Sequence, residues 1–176
     1  HAINSLTTEN LTVNDSKFNL SVLSPKYTKM LENIKATPGL VFGYSQFRSS
    51  EGIEIFSRVL VENRYERISF ERADLGEGKK ELIIKSSESV NHIFEPGNIV
   101  RYEVEPDTWR SFKVLEVHED GASVLLDGMA EPVQADKCYR CRFAIWSGEE
   151  SVEERELIMR LYKTKNNLYG QDLLIL

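Results

Sequence analysis

The chain has 176 residues, 41% of them hydrophobic and 28% charged, a composition typical of a globular protein. Its formal net charge of −6 argues against a broadly basic nucleic-acid binder, although a local basic groove is compatible with it. Two cysteines are too few for a disulfide scaffold, and no apolar run reaches the roughly 20 residues that span a bilayer. Because the chain begins with His1 and has no signal-peptide pattern, we expect a piece of a longer protein, with a tag residue or processing as the alternative.

The first third of the chain predicts an arm, a helix and a buried strand. Residues 1–23 are rich in Asn, Ser and Thr, which is typical of a linker or an arm. Ser24 and Pro25 then supply an N-cap and a proline at the first helical position. Residues 40–44 form an apolar run of strand length, followed by a polar turn and a second helix. A strand that delivers a polar turn to a helix N-terminus is a layout in which anions bind.

Short strands dominate residues 66–142. Two strand patterns, at 68–72 and 81–85, flank a glycine-rich turn and predict a hairpin. Four further short strand patterns follow, separated by turns that contain Asp, Gly or Pro. Strands this short and regularly spaced predict a small barrel at about 94–137.

The end of the chain returns to an α/β pattern. Ser151 and Glu154 form a capping box at the start of a helix, and residues 172–176 predict another buried strand. The strand, turn and helix that begin at Ile145 repeat the layout of residues 39–56. We therefore predict two consecutive units of one α/β domain with an all-β insert between them.

Four sets of motifs follow one another along the chain: SPKYTKMLENI at 24–34, YSQFRSSEGI at 44–53, WSGEE at 146–150 with ERE at 154–156, and YG with DLLIL at 169–176. Together they resemble the second motor domain of superfamily 2 helicases. They are most similar to the helicases and transcription-factor NTPases of large DNA viruses, the poxvirus-like group. The resemblance implies an α/β fold in which residues 24–65 and 143–176 form part of a parallel-sheet, RecA-like domain, with the hairpin and barrel of residues 66–142 inserted.

The resemblance also implies nucleic-acid contacts. The stretch around Ser45 and Gln46 would be motif IV, whose hydroxyl and amide groups meet phosphates. Ser45, Gln46, Arg48 and Arg155 are the residues that we expect to contact a DNA or RNA backbone. The family's usual Gln, three residues before the arginine, is Val152 here.

Catalytic parts of the motor are missing from the chain. It has no G-x-x-x-x-G-K-[ST] phosphate loop and no acidic magnesium motif, which in that family belong to the first motor domain. Phosphoryl transfer needs the phosphate cradle, the metal and an arginine finger together. We therefore expect no cofactor here and no ATP hydrolysis by this piece alone, with ATP and Mg²⁺ acting in the full-length protein beside its first motor domain. We expect an intracellular location, in host cytoplasm or virion if the protein is viral, and no membrane partner.

The insert is similar to a Tudor or SH3-like barrel. The similarity rests on a Gly-x-x-Val opening, a Trp before Lys-Val-x-x-Val, and an Asp-Gly hairpin. Such barrels often hold methylated Lys or Arg in an aromatic cage, for which Tyr102, Trp109 and Phe112 are candidates. Alternatively, Trp109 and Phe112 pack the barrel core. Ten acidic and six basic residues between 94 and 142 disfavour phosphate binding and favour a protein partner or a brace against the motor domain.

The sequence therefore leaves two alternative functions from different classes. The first is a fragment of an ATP-dependent superfamily 2 helicase or translocase that grips the nucleic-acid backbone. The second is a non-enzymatic module whose Tudor-like barrel binds a peptide or a transcription partner. The Cys138-x-x-Cys141 pair lacks the further ligands that a structural zinc site needs, so a redox pair and two ordinary thiols are the alternatives.

Overall fold

The computed structural model describes residues 6–47, 52–74, 76, 79–85, 94–118 and 121–176. It has a mixed α/β fold with several sheets. None of the helices in this part of the chain is long and apolar enough to cross a membrane. The helices are α1 (Thr8–Leu11), α2 (Leu20–Leu23), α3 (Pro25–Ala36), α4 (Ile53–Glu62) and α5 (Val152–Lys163). The strands are β1 (Glu66–Arg67), β2 (Ser69–Asp74), β3 (Lys80–Lys85), β4 (Ile99–Glu105), β5 (Thr108–Val117), β6 (Ser123–Leu126), β7 (Val133–Gln134), β8 (Tyr139–Arg140) and β9 (Arg142–Phe143).

Four short parallel segments lie side by side in the α/β part. β1 pairs in parallel with β9, and parallel bridges join Phe143 to Ile175 and Ile175 to Val41. The spatial order is therefore β1, β9, the last segment (174–176) and the first segment (40–44). The runs predicted as strands at 40–44 and 172–176 thus lie beside each other, and the second also lies beside β9, although both pair through single bridges rather than as regular strands. β1 also belongs to this parallel group, although its residues fall within 66–142, the range predicted for the insert.

The helices of the α/β part begin as their caps predict. The Ser24 hydroxyl accepts a hydrogen bond from the backbone N–H of Tyr27, and Pro25 takes the first helical position of α3. At α5, Glu154 accepts from the backbone N–H of Ser151, while the Ser151 hydroxyl accepts from that of Glu154. Both predicted starts are confirmed, and each helix buries one apolar stripe.

The N-terminal arm packs against this core. α1 and α2 bury Leu11 and Leu20 in the cluster that also holds residues of α3 and α4. The side-chain amide of Asn63 donates to the carbonyl of Leu11 at 2.7 Å. The described part of the arm is therefore folded onto α4.

The predicted hairpin is present as β2 and β3, which pair antiparallel with Phe70 opposite Ile84. Both side chains are partly buried against the cluster that contains Ile158 of α5. Across the same contact, Arg72 pairs with Glu153 at 2.7 Å. The hairpin thus covers α5.

The predicted small barrel is a five-stranded antiparallel sheet in the order β7–β6–β5–β4–β8, curled into a half-barrel. Register shifts occur where β5 pairs with β4 and with β6, as expected for a sheet that bends. Its concave face encloses a separate apolar cluster built around Val100, Val114, Val124 and Leu126. The sheet therefore has its own core.

Candidate nucleic-acid interface

The C-terminal ends of three parallel segments meet at one edge of the α/β part, which we call the carboxyl edge. A cavity of about 270 Å³ there is lined by residues of 43–45, 143–145 and 175–176 together with the first turns of α3 and α4. The two helix starts are joined by the Tyr27 ring, which stacks on Phe56 at 5.3 Å between centroids. In α/β sheets, ligands bind at the carboxyl ends of the strands, where helix N-termini favour anions.

Ser45 lies at this edge and is exposed. Its hydroxyl donates to the carbonyl of Phe47 at 2.8 Å and accepts from the Phe47 backbone N–H at 3.2 Å. The same carbonyl accepts from the backbone N–H of Ile53 at 3.1 Å, so the loop is closed onto the start of α4. Gly52 makes this approach feasible because a side-chain carbon there would overlap the Phe47 carbonyl. The turn therefore presents the Ser45 hydroxyl in a fixed place.

Gln46 and two aromatic residues project beside Ser45. Gln46 is exposed, and Tyr44 and Phe47 expose 84% and 60% of their surface. An aromatic face so accessible can stack on nucleic-acid bases, while amide and hydroxyl groups suit phosphate oxygens. Arg48, the fourth predicted contact, lies outside the described residues.

Lys26 is a candidate that the sequence did not single out. It lies in the first turn of α3, is exposed and lines the cavity at the carboxyl edge. Its only sequence signal was its place directly after the Ser24–Pro25 cap, and nothing there indicated that α3 begins beside Ser45. Lys26 gives this edge a positive charge in the same cavity as Ser45.

The end of the β9 segment is acidic instead. Ser147 donates to the Glu150 carboxylate from its backbone N–H at 2.6 Å and from its hydroxyl at 2.9 Å. Partial burial acts to raise the pKa of Glu150, but the hydrogen bonds from Ser147 and the positive charge of Arg67 outweigh it and lower the pKa. Glu150 therefore stays ionised, and a phosphate is less favoured at this end of the edge than beside Ser45.

Arg155 occupies the first turn of α5 and is half-buried. Its Nε is enclosed and finds no hydrogen-bond partner within the described part of the chain. It lies on the same helical face as Ile158, Met159 and Tyr162, which pack into the core beneath the hairpin. The structure thus exposes Ser45 and Gln46 at the carboxyl edge, whereas Arg155 is partly packed.

The three aromatic residues predicted for a cage are divided between two faces of the half-barrel. Tyr102 and Phe112 meet edge to face at 6.5 Å and pack against the concave core. Trp109 is buried on the opposite face, where its ring stacks on Tyr169 at 5.8 Å with an interplanar angle of 11°. The structure therefore brings Tyr102 and Phe112 together but not Trp109, because side chains three positions apart on β5 point to opposite faces.

The two cysteines are also separated. Cys138 belongs to the core of the half-barrel, and Cys141 belongs to the core of the α/β part. Burial raises the pKa of each thiol to about 12, so neither forms a reactive thiolate near neutral pH. Within the described residues, no group of His, Cys, Asp and Glu side chains could hold a metal ion. The geometry favours two ordinary buried thiols over a redox pair.

Comparison with known proteins gives one relationship. The chain is 36% identical over 85 residues to a protein of Acanthamoeba polyphaga mimivirus named "Putative ATP-dependent RNA helicase R563". The chain is thus similar to part of a viral helicase. The match covers 48% of this chain and 13% of the mimivirus protein, so the chain spans about an eighth of that relative. No family model and no solved structure matches the chain.

Proposed function

We propose that this chain is part of the second motor domain of a viral superfamily 2 helicase or translocase, and that its carboxyl edge contacts a nucleic-acid backbone. The observation that carries the proposal is that Ser45 and Lys26 line one cavity at that edge, beside the first turns of α3 and α4, with Gln46 exposed next to Ser45 in the chain. The similarity to the mimivirus protein and the order of the motifs support the same assignment.

The division of labour within the whole protein follows from what this chain contains. Ser45 and Gln46 offer uncharged hydrogen-bonding groups, and Lys26 offers a cation, which together suit phosphate oxygens. Arg48 and Arg155 remain expected contacts from the resemblance, although the Nε of Arg155 is enclosed. The residues needed to cradle ATP and Mg²⁺ are absent from the sequence, so nucleotide binding falls to the first motor domain.

The full-length protein provides the test. Its ATPase rate is measured against single-stranded RNA and single-stranded DNA concentration, for the wild type and for a Ser45→Ala, Gln46→Ala double variant. We expect nucleic acid to stimulate ATP hydrolysis. We expect the double variant to need roughly tenfold more nucleic acid for half-maximal stimulation, because two side-chain hydrogen bonds to the nucleic-acid backbone are lost.

A matched control replaces the same residue types elsewhere. Ser123 and Gln134 form a cross-strand pair on the half-barrel, far along the chain from the carboxyl edge. The Ser123→Ala, Gln134→Ala variant is expected to behave as wild type. Absence of any stimulation in the wild type, or equal effects of the two double variants, would contradict the proposal.

A further inference from the structure

Arg101 is completely buried at the junction between the half-barrel and the α/β part. Its guanidinium donates to three main-chain carbonyls: to Thr37 at 2.8 Å, to Pro38 at 2.7 Å and, from Nε, to Tyr169 at 2.8 Å. A fourth, longer bond reaches the Ser111 hydroxyl at 3.3 Å. The first two carbonyls precede the first parallel segment, and the third precedes the last segment. One side chain of the insert therefore ties the starting points of both.

The chemistry of these contacts explains why an arginine stands there. Within the described residues none of its hydrogen-bond partners is a carboxylate, and the cation is stabilised by three carbonyl dipoles and one hydroxyl. Burial lowers the pKa of Arg101, opposed by the nearby Cys141 and Tyr65 groups. The planar guanidinium offers five donors in a fixed fork and can bind carbonyls from separate chain segments at once. A buried cation without these acceptors would be strongly destabilising.

Tyr169 is held by the insert at both of its ends. Its carbonyl accepts from Arg101, and its hydroxyl donates to Asp107 at 2.9 Å in the turn between β4 and β5. Its ring stacks on Trp109 between these two contacts. The neighbouring loop is fixed by the buried side chain of Asn167, which bonds the backbone of Leu173 through both its oxygen and its nitrogen.

The N-terminal ends of the first and last parallel segments, which follow Pro38 and Tyr169, form what we call the amino edge. We propose that Arg101 and Tyr169 form an internal clamp that fixes the half-barrel to this amino edge. The insert and the α/β part then unfold as one cooperative unit. The clamp lies at the opposite end of the parallel segments from Ser45 and Gln46. The insert then acts as a brace that sets where the first and last segments begin. The part of the sheet around Trp109 is covered by Tyr169 and is therefore closed to a peptide ligand. This inference does not depend on the proposed nucleic-acid function.

Native-state hydrogen exchange of the full chain, followed by mass spectrometry, tests the clamp. In the wild type, the slowest amides of β4 and β5 and those of the last segment are expected to report the same opening free energy. Arg101→Met keeps the length of the side chain and removes its donors. We expect it to lower protection of residues 39–43 and 165–176 by at least about tenfold, while β5 and β6 keep more of theirs.

Two further variants make the outcome decisive. Arg110→Met makes the same chemical change at an exposed position of β5 and is expected to leave protection unchanged. Tyr169→Phe keeps the stacking on Trp109 and loses only the bond to Asp107, so it is expected to lower protection of residues 165–173 about threefold. If Arg101→Met does not fold, the protection measured in Tyr169→Phe alone tests the clamp. The clamp is overturned if the folded Arg101→Met and Tyr169→Phe variants keep the protection of the wild type. It is also overturned if Arg110→Met loses as much protection as they do, or if the two parts of the wild type open with different free energies.

Discussion

Gly52 stands where the chain comes closest to itself at the carboxyl edge. Its neighbour Ile53 donates to the Phe47 carbonyl at 3.1 Å, and a side-chain carbon at residue 52 would overlap that carbonyl. The backbone there has a negative φ of −110°, so the need for glycine arises from space rather than from a left-handed conformation. The fixed position of Ser45 therefore depends on a residue that contributes no side chain.

Gly52→Ala is expected to lower the free energy of unfolding by about 1–3 kcal/mol, because the loop must move away from α4 to admit a methyl group. Urea denaturation followed by circular dichroism measures the loss. Gly148→Ala serves as the control, since a side-chain carbon at residue 148 meets no atom within 4 Å. Equal midpoints for wild type and Gly52→Ala would show that the loop is not closed in this way.

Arg101 shows why single residues at the junction escaped prediction. In the sequence it is one basic residue in a strand pattern. Its main-chain partners are the carbonyls of Thr37, Pro38 and Tyr169, and because every residue has a carbonyl, residue types could not predict these contacts. Lys26 escaped for a related reason, because its position beside Ser45 depends on how α3 packs. By contrast, the polar turn around Ser45 and Gln46 stood out in the sequence because it follows an apolar run directly, and both residues are exposed in the structure.

At the scale of elements, local chemistry predicted most starts and pairings. The cap at Ser24, the capping box at Ser151 and the alternation of the hairpin each involve residues close in sequence, and all three are found. The first and last parallel segments were predicted as full strands but pair through single bridges. Their pairing joins residues more than 100 positions apart, and its extent depends on packing that no local pattern records. The arm behaves likewise: its polar composition gave no sign that Leu11 and Leu20 would be buried.

The hairpin contacts α5 through a partly buried apolar side chain and through an exposed ion pair, and the two contacts are expected to contribute differently to stability. Phe70 is partly buried against the core that contains Ile158, whereas the Arg72–Glu153 pair leaves more than half of each side chain exposed. Phe70→Ala is expected to cost about 1–3 kcal/mol, less than a fully buried phenylalanine. Arg72→Ala is expected to cost under about 1 kcal/mol, since exposed ion pairs contribute little. Urea titration of both variants measures the difference, and a larger loss for Arg72→Ala would contradict this account.

At the scale of the whole molecule, the two ends of the parallel segments have different roles. The amino edge is closed by the half-barrel through Arg101 and Tyr169, and the carboxyl edge presents Ser45 and Gln46. A larger groove, of about 870 Å³, lies elsewhere, between the arm, α3, the end of α4 and the half-barrel. Its lining includes Tyr65, directly before β1, but none of the carboxyl ends of the other parallel segments, so our proposed interface is the smaller cavity. Sequence predicted an α/β part with an all-β insert; which edge the insert would cover could be learned only from the structure.

The central claim is that nucleic acid meets the chain at the carboxyl edge. Backbone NMR spectra of the isotope-labelled chain, titrated with a short single-stranded RNA or DNA at low and high salt, locate the contact directly. We predict that amide signals of Lys26 and of residues 44–47 shift first, that the shifts weaken with salt as phosphate contacts require, and that signals of Ser123 and Gln134 stay in place. Shifts centred on the half-barrel, or shifts that do not respond to salt, would contradict the claim.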